Sequence, residues 1–277
     1  MTFNFGLRAV MAPPPIPSYA TAFGISQYQF FDGFDSDTTI DKTNSLASGF
    51  NWYVSGIPSF QGNNLANSPA TSGQYTVAGS VLTVLANTCP APEGAWQFTS
   101  IGFNHADPSI QTQGVPLISG AKPFYFEGRT ICGDGTQAIN VFWLWDTIAN
   151  LRYVQNSGVT GRYAEFDLNE TGSAHSNNQL LHSWPDASAS DIGGGGTLTS
   201  FPETTFNRWG ILVVPRSYNG GTGLAQFYLN GTPSVAAINW SGADTYGIEA
   251  SNYMVLFGGG SSAPHFQIDY IGCAVHP

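Results

Sequence analysis

The stretch Ala164-Glu165-Phe166-Asp167-Leu168-Asn169-Glu170 constrains the chain more than any other. It places three carboxylates within six residues of a sequence in which only 9% of residues are charged. Successive side chains of a β-strand point to opposite faces. Read as a strand, the stretch sends Glu165 and Asp167 to one face and Ala164, Phe166 and Leu168 into a core. Strict alternation would then put Glu170 on the apolar face, where a carboxylate is costly. One extra residue after Asp167, a β-bulge, reverses the parity and returns Glu170 to the other acids. The bulged strand has an unbroken apolar face and three acids in a row on the other.

Three adjacent carboxylates repel one another, so they do not all ionise readily at neutral pH and at least one pKa should rise. That arrangement separates a nucleophile from an acid. Retaining glycosidases need such a pair roughly 5–5.5 Å apart across the scissile bond. A solvated acidic strand or a calcium-binding edge would show the same residues.

Composition narrows the class of protein. With 277 residues the chain can bury the core of one large β domain. The charged fraction lies far below the usual ~25%, and Gly, Ser, Thr and Asn are abundant. Both fit a turn-rich all-β protein with a polar, neutral surface. The net charge of −10 argues against a nucleic-acid partner, since phosphate binding needs a positive surface. No stretch approaches the ~20 apolar residues of a membrane span. Met1 to Met11 has Arg8 in its middle and too short an apolar run for a clear signal peptide. Cys89, Cys132 and Cys273 are an odd set without C-x-x-C spacing. One disulfide and three buried thiols are both compatible with them.

Along the chain, residues 1–27 read as an arm. Its Ala12-Pro13-Pro14-Pro15-Ile16-Pro17 segment is extended polyproline, unable to donate to a sheet. Such an arm would dock on its own domain or tether the chain into a larger assembly such as a virion. A domain over 28–277 opens at Tyr28-Gln29-Phe30-Phe31-Asp32. Gln74 to Ala86 predicts two strands around Gly79-Ser80, and Trp96 to Phe103 another. In Phe124-Tyr125-Phe126-Glu127-Gly128-Arg129, alternation puts Tyr125, Glu127 and Arg129 on one face, where a Glu127–Arg129 ion pair is expected. In Val141-Phe142-Trp143-Leu144-Trp145, Trp143 and Trp145 share a face. They form either a stacking platform for sugar rings or part of the core, and one in the cleft with one buried is the expected compromise. Thr171 to Asn178 reads as a polar turn before the strand Gln179 to Trp184. His182 on that strand is a cleft residue or a hydrogen-bonded structural histidine, and Trp184 is a further stacking candidate. Four glycines at 193–196 predict a flexible loop. Asn219-Gly220-Gly221 and Asn230-Gly231 predict hairpin turns. Met254 to Phe257 and Phe266 to Val275 close the domain. Pattern alone therefore gives an antiparallel β-sandwich. Metalloprotease, P-loop, dinucleotide and serine-hydrolase motifs are all absent from the sequence. The sequons at Asn169, Asn230 and Asn239 read as chance, the first because a glycan would obstruct the acids.

Glu165-x-Asp167-x-x-Glu170 on a strand resembles the active-site signature of glycoside hydrolase family 16 in its bulged, laminarinase-like form. The strands at 124–129 and 141–145, the Leu181-His182-Ser183-Trp184 segment, Gln226 to Gly231, and Phe266 to Ile271 resemble that family's segments in the same order. Together they cover roughly residues 28–276. The resemblance implies a concanavalin A-like jelly roll with the acids on the concave sheet. It implies a retaining endo-β-glycosidase, with Glu165 as nucleophile, Glu170 as acid and base, and Asp167 assisting between them. Trp143, Trp145, His182, Trp184 and Arg129 would line the polysaccharide site. No cofactor is required. A structural calcium is suggested by the match of Asp269 to a family ligand position, although calcium needs six to eight oxygens and only this one is identifiable. Two segments depart from the family: Leu180 to Ser183 lacks the usual Gly-Thr lead, and the closing strand reads Asp269-Tyr270-Ile271-Gly272-Cys273. The substrate stays open among β-glucans, galactans and bacterial surface polysaccharides, met outside the cell or on a virion. The rival reading is a virion or surface protein that uses the jelly roll for structure or glycan binding, since a fold does not guarantee an activity. A phage-borne depolymerase would satisfy both readings.

Overall fold

Period-two patterning dominates the chain, and the chain folds into strands accordingly. The computed structural model describes residues 11–41, 49–53, 75–84, 95–99, 101–104, 107–114, 118–131, 139–146, 162–173, 176–184, 193–198, 201–202, 204–260 and 266–277. A short helix α1 (Ser18–Thr21) precedes β1 (Gln27–Asp32), β2 (Ile40–Asp41), β3 (Trp52–Tyr53), β4 (Tyr75–Val77) and β5 (Leu82–Val84). Next come β6 (Ala95–Thr99), β7 (Ile101–Asn104), β8 (Asp107–Gly114), β9 (Ile118–Ser119) and β10 (Phe124–Ile131). The site-bearing strands follow: β11 (Ile139–Asp146), β12 (Tyr163–Ser173), β13 (Ser176–Trp184) and β14 (Gly194–Leu198). The chain ends with β15 (Asn207–Val214), β16 (Thr222–Leu229), β17 (Thr232–Pro233), β18 (Ile238–Ser241), β19 (Asn252–Gly260) and β20 (Phe266–Val275).

Two nine-stranded sheets form the sandwich. The first runs β17-β16-β15-β10-β20-β5-β4, with β1 on β20 and β18 on β16. The second runs β14-β13-β12-β11-β19-β6-β3-β2, with β9 on β19. Pairing is antiparallel except between β2 and β3. The all-β antiparallel jelly roll expected from the sequence is the fold observed. The acidic strand β12 lies inside the second sheet, flanked by β11 and β13.

Inward-facing residues of the two sheets meet in one core. Phe166 of β12 packs edge-on against Phe227 of β16 at 6.2 Å and lies 5.6 Å from Tyr253 of β19. Phe124, Phe126, Ile211, Val213 and Ile271 of the first sheet are buried in the same cluster as Leu144, Leu168 and Leu181 of the second. Burying each large apolar side chain stabilises by about 1.5–3 kcal/mol, so the acid-bearing strand is anchored through its opposite face. Cys273 is a free thiol buried in this core, and burial pushes it well above the ordinary thiol range. Cys89 and Cys132 lie outside the described residues.

The outer face of the first sheet is covered by the start of the chain itself. Ala20 and Ile25 are fully buried against Tyr125, Leu212, Val214, Tyr228 and Ala274. Tyr19 stacks on Tyr228 with ring centroids 4.0 Å apart. Residues 11–26 of the expected arm are thus docked on their own domain.

Two local expectations change. The run of glycines is no loop: Gly194 to Gly196 belong to the edge strand β14, paired with β13. Gly195 has φ +121, and a Cβ there would lie 2.0 Å from the Gln179 carbonyl oxygen, so the strand can close on its neighbour only without a side chain. The polar turn after the acids is also shorter than expected, since β12 continues to Ser173 and β13 begins at Ser176. The Asn230-Gly231 turn is as expected, with φ of 52 and 84 joining Leu229 to Thr232.

A surface cluster beside β16 sets part of the acid tolerance. Arg216 donates to Glu249 from Nε at 2.8 Å, from Nη2 at 3.0 Å and from its backbone N–H at 2.9 Å, and Trp240 Nε1 donates at 2.8 Å. The Arg216 hydrogen bond is the main reason Glu249 falls from 4.5 to about 2. A carboxyl depressed on folding contributes stability above its unfolded value and loses it as pH falls through the folded one. Arg216→Met should therefore melt below the parent at pH 6, and the gap should close as pH drops from 4.5 towards 2. Thermal scans across that range check this, and a gap independent of pH would refute it.

Candidate active site

The strand register shows how the three acids share a face. Along β11, Trp145 pairs with Glu165, Leu144 with Phe166 and Trp143 with Asp167. Phe142 then pairs with Asn169, and Leu168 is skipped. Against β13, Asp167 pairs with Leu180 and Glu170 with Asn178, three residues against two. Against β13, β12 therefore carries one extra residue between Asp167 and Glu170, the bulge that parity demanded; against β11 the skip of Leu168 is matched by a skip of Val141, which leaves Asn140 opposite Glu170. Leu168 and Asn169 are both fully buried. Asn169 crosses the core and donates from Nδ2 to Thr130 Oγ1 of β10 at 3.3 Å. A fully buried Asn169 cannot carry a glycan.

Glu165 and Asp167 are 7% and 2% exposed, and Glu170 is half-buried. His182 pairs with Glu165 across the strands and places Nε2 3.2 Å from Asp167 Oδ2. Asn178 Nδ2 lies 3.5 Å from Glu170 Oε2. Burial, and then the Asp167 charge, raise the Glu170 pKa; Asn178 and His182 pull it back in part. The result is a carboxyl biased towards its protonated form beside buried acids, the condition for an acid that gives and retakes a proton.

Donor atoms of Asp167, Glu170 and His182 lie within 4.8 Å of one another, the only such group of three among the described residues. That spacing would also suit a divalent ion. The His182–Asp167 contact engages one donor atom from each of those two residues.

The other expected site residues divide. Trp143 and Trp145 both lie on the acid face, directly opposite Asp167 and Glu165, and both are 4% exposed. The expected split into one cleft and one core tryptophan does not occur. β19 places Leu256 and Met254 beside them, both buried, so this row forms an apolar strip alongside the acids on the same face. Trp184 lies opposite Tyr163 in β13; its side chain is outside the described part.

Arg129 does not join the site. It lies on β10 in the other sheet, ion-paired with Asp269 and stacked over the Phe206 ring at 4.8 Å. Nor does it pair with Glu127. In the β10–β15 register Arg129 directly faces Arg208, and like charges so placed repel. Each guanidinium turns to its own carboxylate: Arg129 to Asp269, and Arg208 Nε to Glu127 Oε2 at 3.4 Å. Asp269 reaches Arg129 because β20 bulges there, with Arg129 opposite Tyr270 and Thr130 opposite Ile268. The guanidinium occupies the carboxylate that the resemblance assigned to calcium.

Asn178 and Thr197 are polar neighbours of the acids that sequence reasoning passed over. Asn178 falls at the end of the polar turn that the sequence predicts and Thr197 follows the glycine run, although Asn178 stands four residues before His182 and so shares its face.

No family model and no curated protein matches this sequence. Solved structures do match its fold, a jelly roll like that of glycoside hydrolase family 16. The endo-1,3-β-glucanase from Streptomyces sioyaensis superposes with a TM-score of 0.61 at 14% identity, over 95% of this chain and 99% of that one. The laminarinase from Flavobacterium sp. UMI-01 gives 0.55 at 12% identity, over 90% and 100%. The CBM2 module of the evolved Dit of Lactobacillus casei BL23 phage J-1 gives 0.50 at 9% identity, over 91% and 96%.

Proposed function

We propose that the chain is a retaining endo-β-glycosidase acting on a polysaccharide of β-glucan or galactan type. The observation that carries this reading is the bulge in β12, which sets Glu165, Asp167 and Glu170 on one outer face with Glu170 biased towards protonation. Glu165 attacks the anomeric carbon as a carboxylate. The glycosidic C–O bond breaks, and Glu170 delivers its proton to the leaving oxygen. Glu170, now ionised, takes a proton from water, which attacks the glycosyl ester and releases Glu165. Asp167, held by His182, lies between them and limits how much negative charge Glu170 can add. Two hydrolases share the fold, which supports the reading without carrying their substrates over. The polysaccharide would be met outside the cell or on a virion.

A second reading is a glycan-binding or structural module. The likeness to a module of a phage protein favours it, because that shows the same scaffold in a virus. Reducing-end release from soluble β-glucans, galactans and capsular polysaccharides separates the two, with Glu170→Gln alongside. The parent should release ends, and Glu170→Gln should lose about 10²–10⁴-fold in kcat, the usual worth of a general acid. Silence of the parent across the panel with glycan binding retained would favour the module.

A further inference from the structure

We propose that Asn178, held by Thr197, is a positioning residue for Glu170, fixing the direction of its carboxyl and tuning its exchange of the catalytic proton. The inference rests on the glycosidase reading for its catalytic meaning. Its structural basis is a hydrogen-bond chain across three strands. Thr197 Oγ1 on β14 donates to Asn178 Oδ1 on β13 at 2.7 Å. The threonine hydroxyl can serve either end of an amide, so the orientation is set at Glu170, whose ionised carboxylate only accepts and therefore takes the Nδ2 end, leaving Oδ1 to the hydroxyl. The Nδ2 end then points to Glu170 Oε2 at 3.5 Å. Such catalytic hydrogen bonds are commonly long without substrate and tighten when it binds.

The register makes this chain possible. Asn178 pairs with Glu170 on one side and with Thr197 on the other, so all three side chains stand on the acid face. The glycines before Thr197 let β14 close on β13. With a side chain at position 195, steric clash with the Gln179 carbonyl would push the edge strand away and carry Thr197 with it. The glycine run thus acquires a reason that a flexible loop would not supply.

The charged environment of Glu170 is small enough to make the effect legible. Among the described residues, Asp167 from its own strand and His182 from β13 are the titratable groups facing it. β11 places Asn140 opposite and β14 contributes Thr197; neither titrates. Asn178 favours the ionised form of Glu170, against burial and Asp167. Without that donor the carboxyl would keep its proton to a higher pH.

The test reads Glu170 directly. Side-chain carboxyls are labelled with ¹³C-glutamate in the full chain, the Glu170 resonance is assigned with Glu170→Gln, and its titration is followed by NMR. Asn178→Ala should raise the Glu170 midpoint by roughly 0.4–1 pH unit, the worth of one hydrogen bond to the carboxylate. Thr197→Val should raise it by a smaller amount. Asn178→Asp, nearly isosteric, should raise it most, because a second anion replaces the donor. On a hydrolysed substrate the alkaline limb of kcat/KM should move up by the same increments while KM stays near the parent's. An unchanged Glu170 midpoint in folded Asn178→Ala and Asn178→Asp would overturn the proposal. A shift in Asn178→Ala but none in Thr197→Val would overturn the part given to Thr197. If the parent cleaves nothing on the panel, the glycosidase reading fails, while the NMR titration still decides whether Asn178 governs Glu170.

Discussion

Replacing Glu165 with glutamine should lower kcat by about 10⁴-fold or more, the scale seen when a nucleophile is removed from a group of residues acting as a unit. Folding should be nearly untouched. The amide keeps the shape of the carboxylate, and removing one of three crowded acids relieves repulsion among them. Glycan affinity should hold, because the binding surface is unaltered. The measurement is kcat on the substrate found by the panel, with a thermal scan and a binding assay on the same protein. A loss under tenfold would remove Glu165 from the nucleophile's role. A large loss accompanied by a collapsed melting temperature would mean that Glu165 holds the strand together instead. Glu170→Gln supplies the complementary reading. With an activated leaving group that needs no acid, the first step should proceed and the second should stall without its base. A covalent sugar should then accumulate on Glu165, visible as added mass on the intact protein.

How far the sequence disclosed this site depends on the kind of interaction involved. The bulge was legible because burial is a strict constraint. Phe166 and Leu168 had to face the core, Glu170 could not, and only one inserted residue reconciles them. The faces of Trp143, Trp145 and His182 were legible for the same period-two reason. What such periodicity cannot show is which strand lies alongside. Glu127 and Arg129 stand two apart on one strand and looked like partners, but Arg129 meets Arg208 across the sheet, and that repulsion decides both pairings. The Asp269 bulge, which brings that carboxylate to Arg129, depends on the register between β10 and β20. Asn169 was invisible for a related reason: its partner Thr130 lies 39 positions away, on the facing sheet. The glycine run misled because flexibility is a property of free glycine, whereas these glycines are required by a close backbone approach. The two sheets thus separate what the linear reading merged, with the acids on one outer face and Arg129 and Asp269 on the other.

That opposite face carries the largest expected effect on stability. Deleting residues 1–26 should leave a chain that fails to fold stably, where a detachable tether would leave the domain intact. Ala20 and Ile25 are fully buried, and Ile16, Tyr19 and Phe23 are partly so, all against the first sheet. At about 1.5–3 kcal/mol for each large side chain buried, their removal would cost several kcal/mol of a total that is commonly 5–15. The cut would also open the most buried charge on that face. Glu127 is 1% exposed and accepts from Tyr125 at 2.9 Å, Tyr28 at 3.3 Å and Tyr270 at 3.4 Å, with Tyr19 donating to Tyr125 at 3.1 Å. Burial, and next the Glu127 charge, push the Tyr28, Tyr125 and Tyr270 hydroxyls upward, so they remain donors. A graded variant separates the apolar cover from this polar clasp. Glu127→Leu leaves the segment in place but orphans the hydroxyls and deprives the buried Arg208 Nε of its carboxylate, and should cost on the order of 3 kcal/mol. Denaturant unfolding of the parent, Glu127→Leu and the 27–277 chain measures both effects. A 27–277 chain as stable as the parent would show that the segment is dispensable and restore the tether. The expected loss would mean that any docking into a larger assembly must do without residues 11–26, because those residues already complete their own domain.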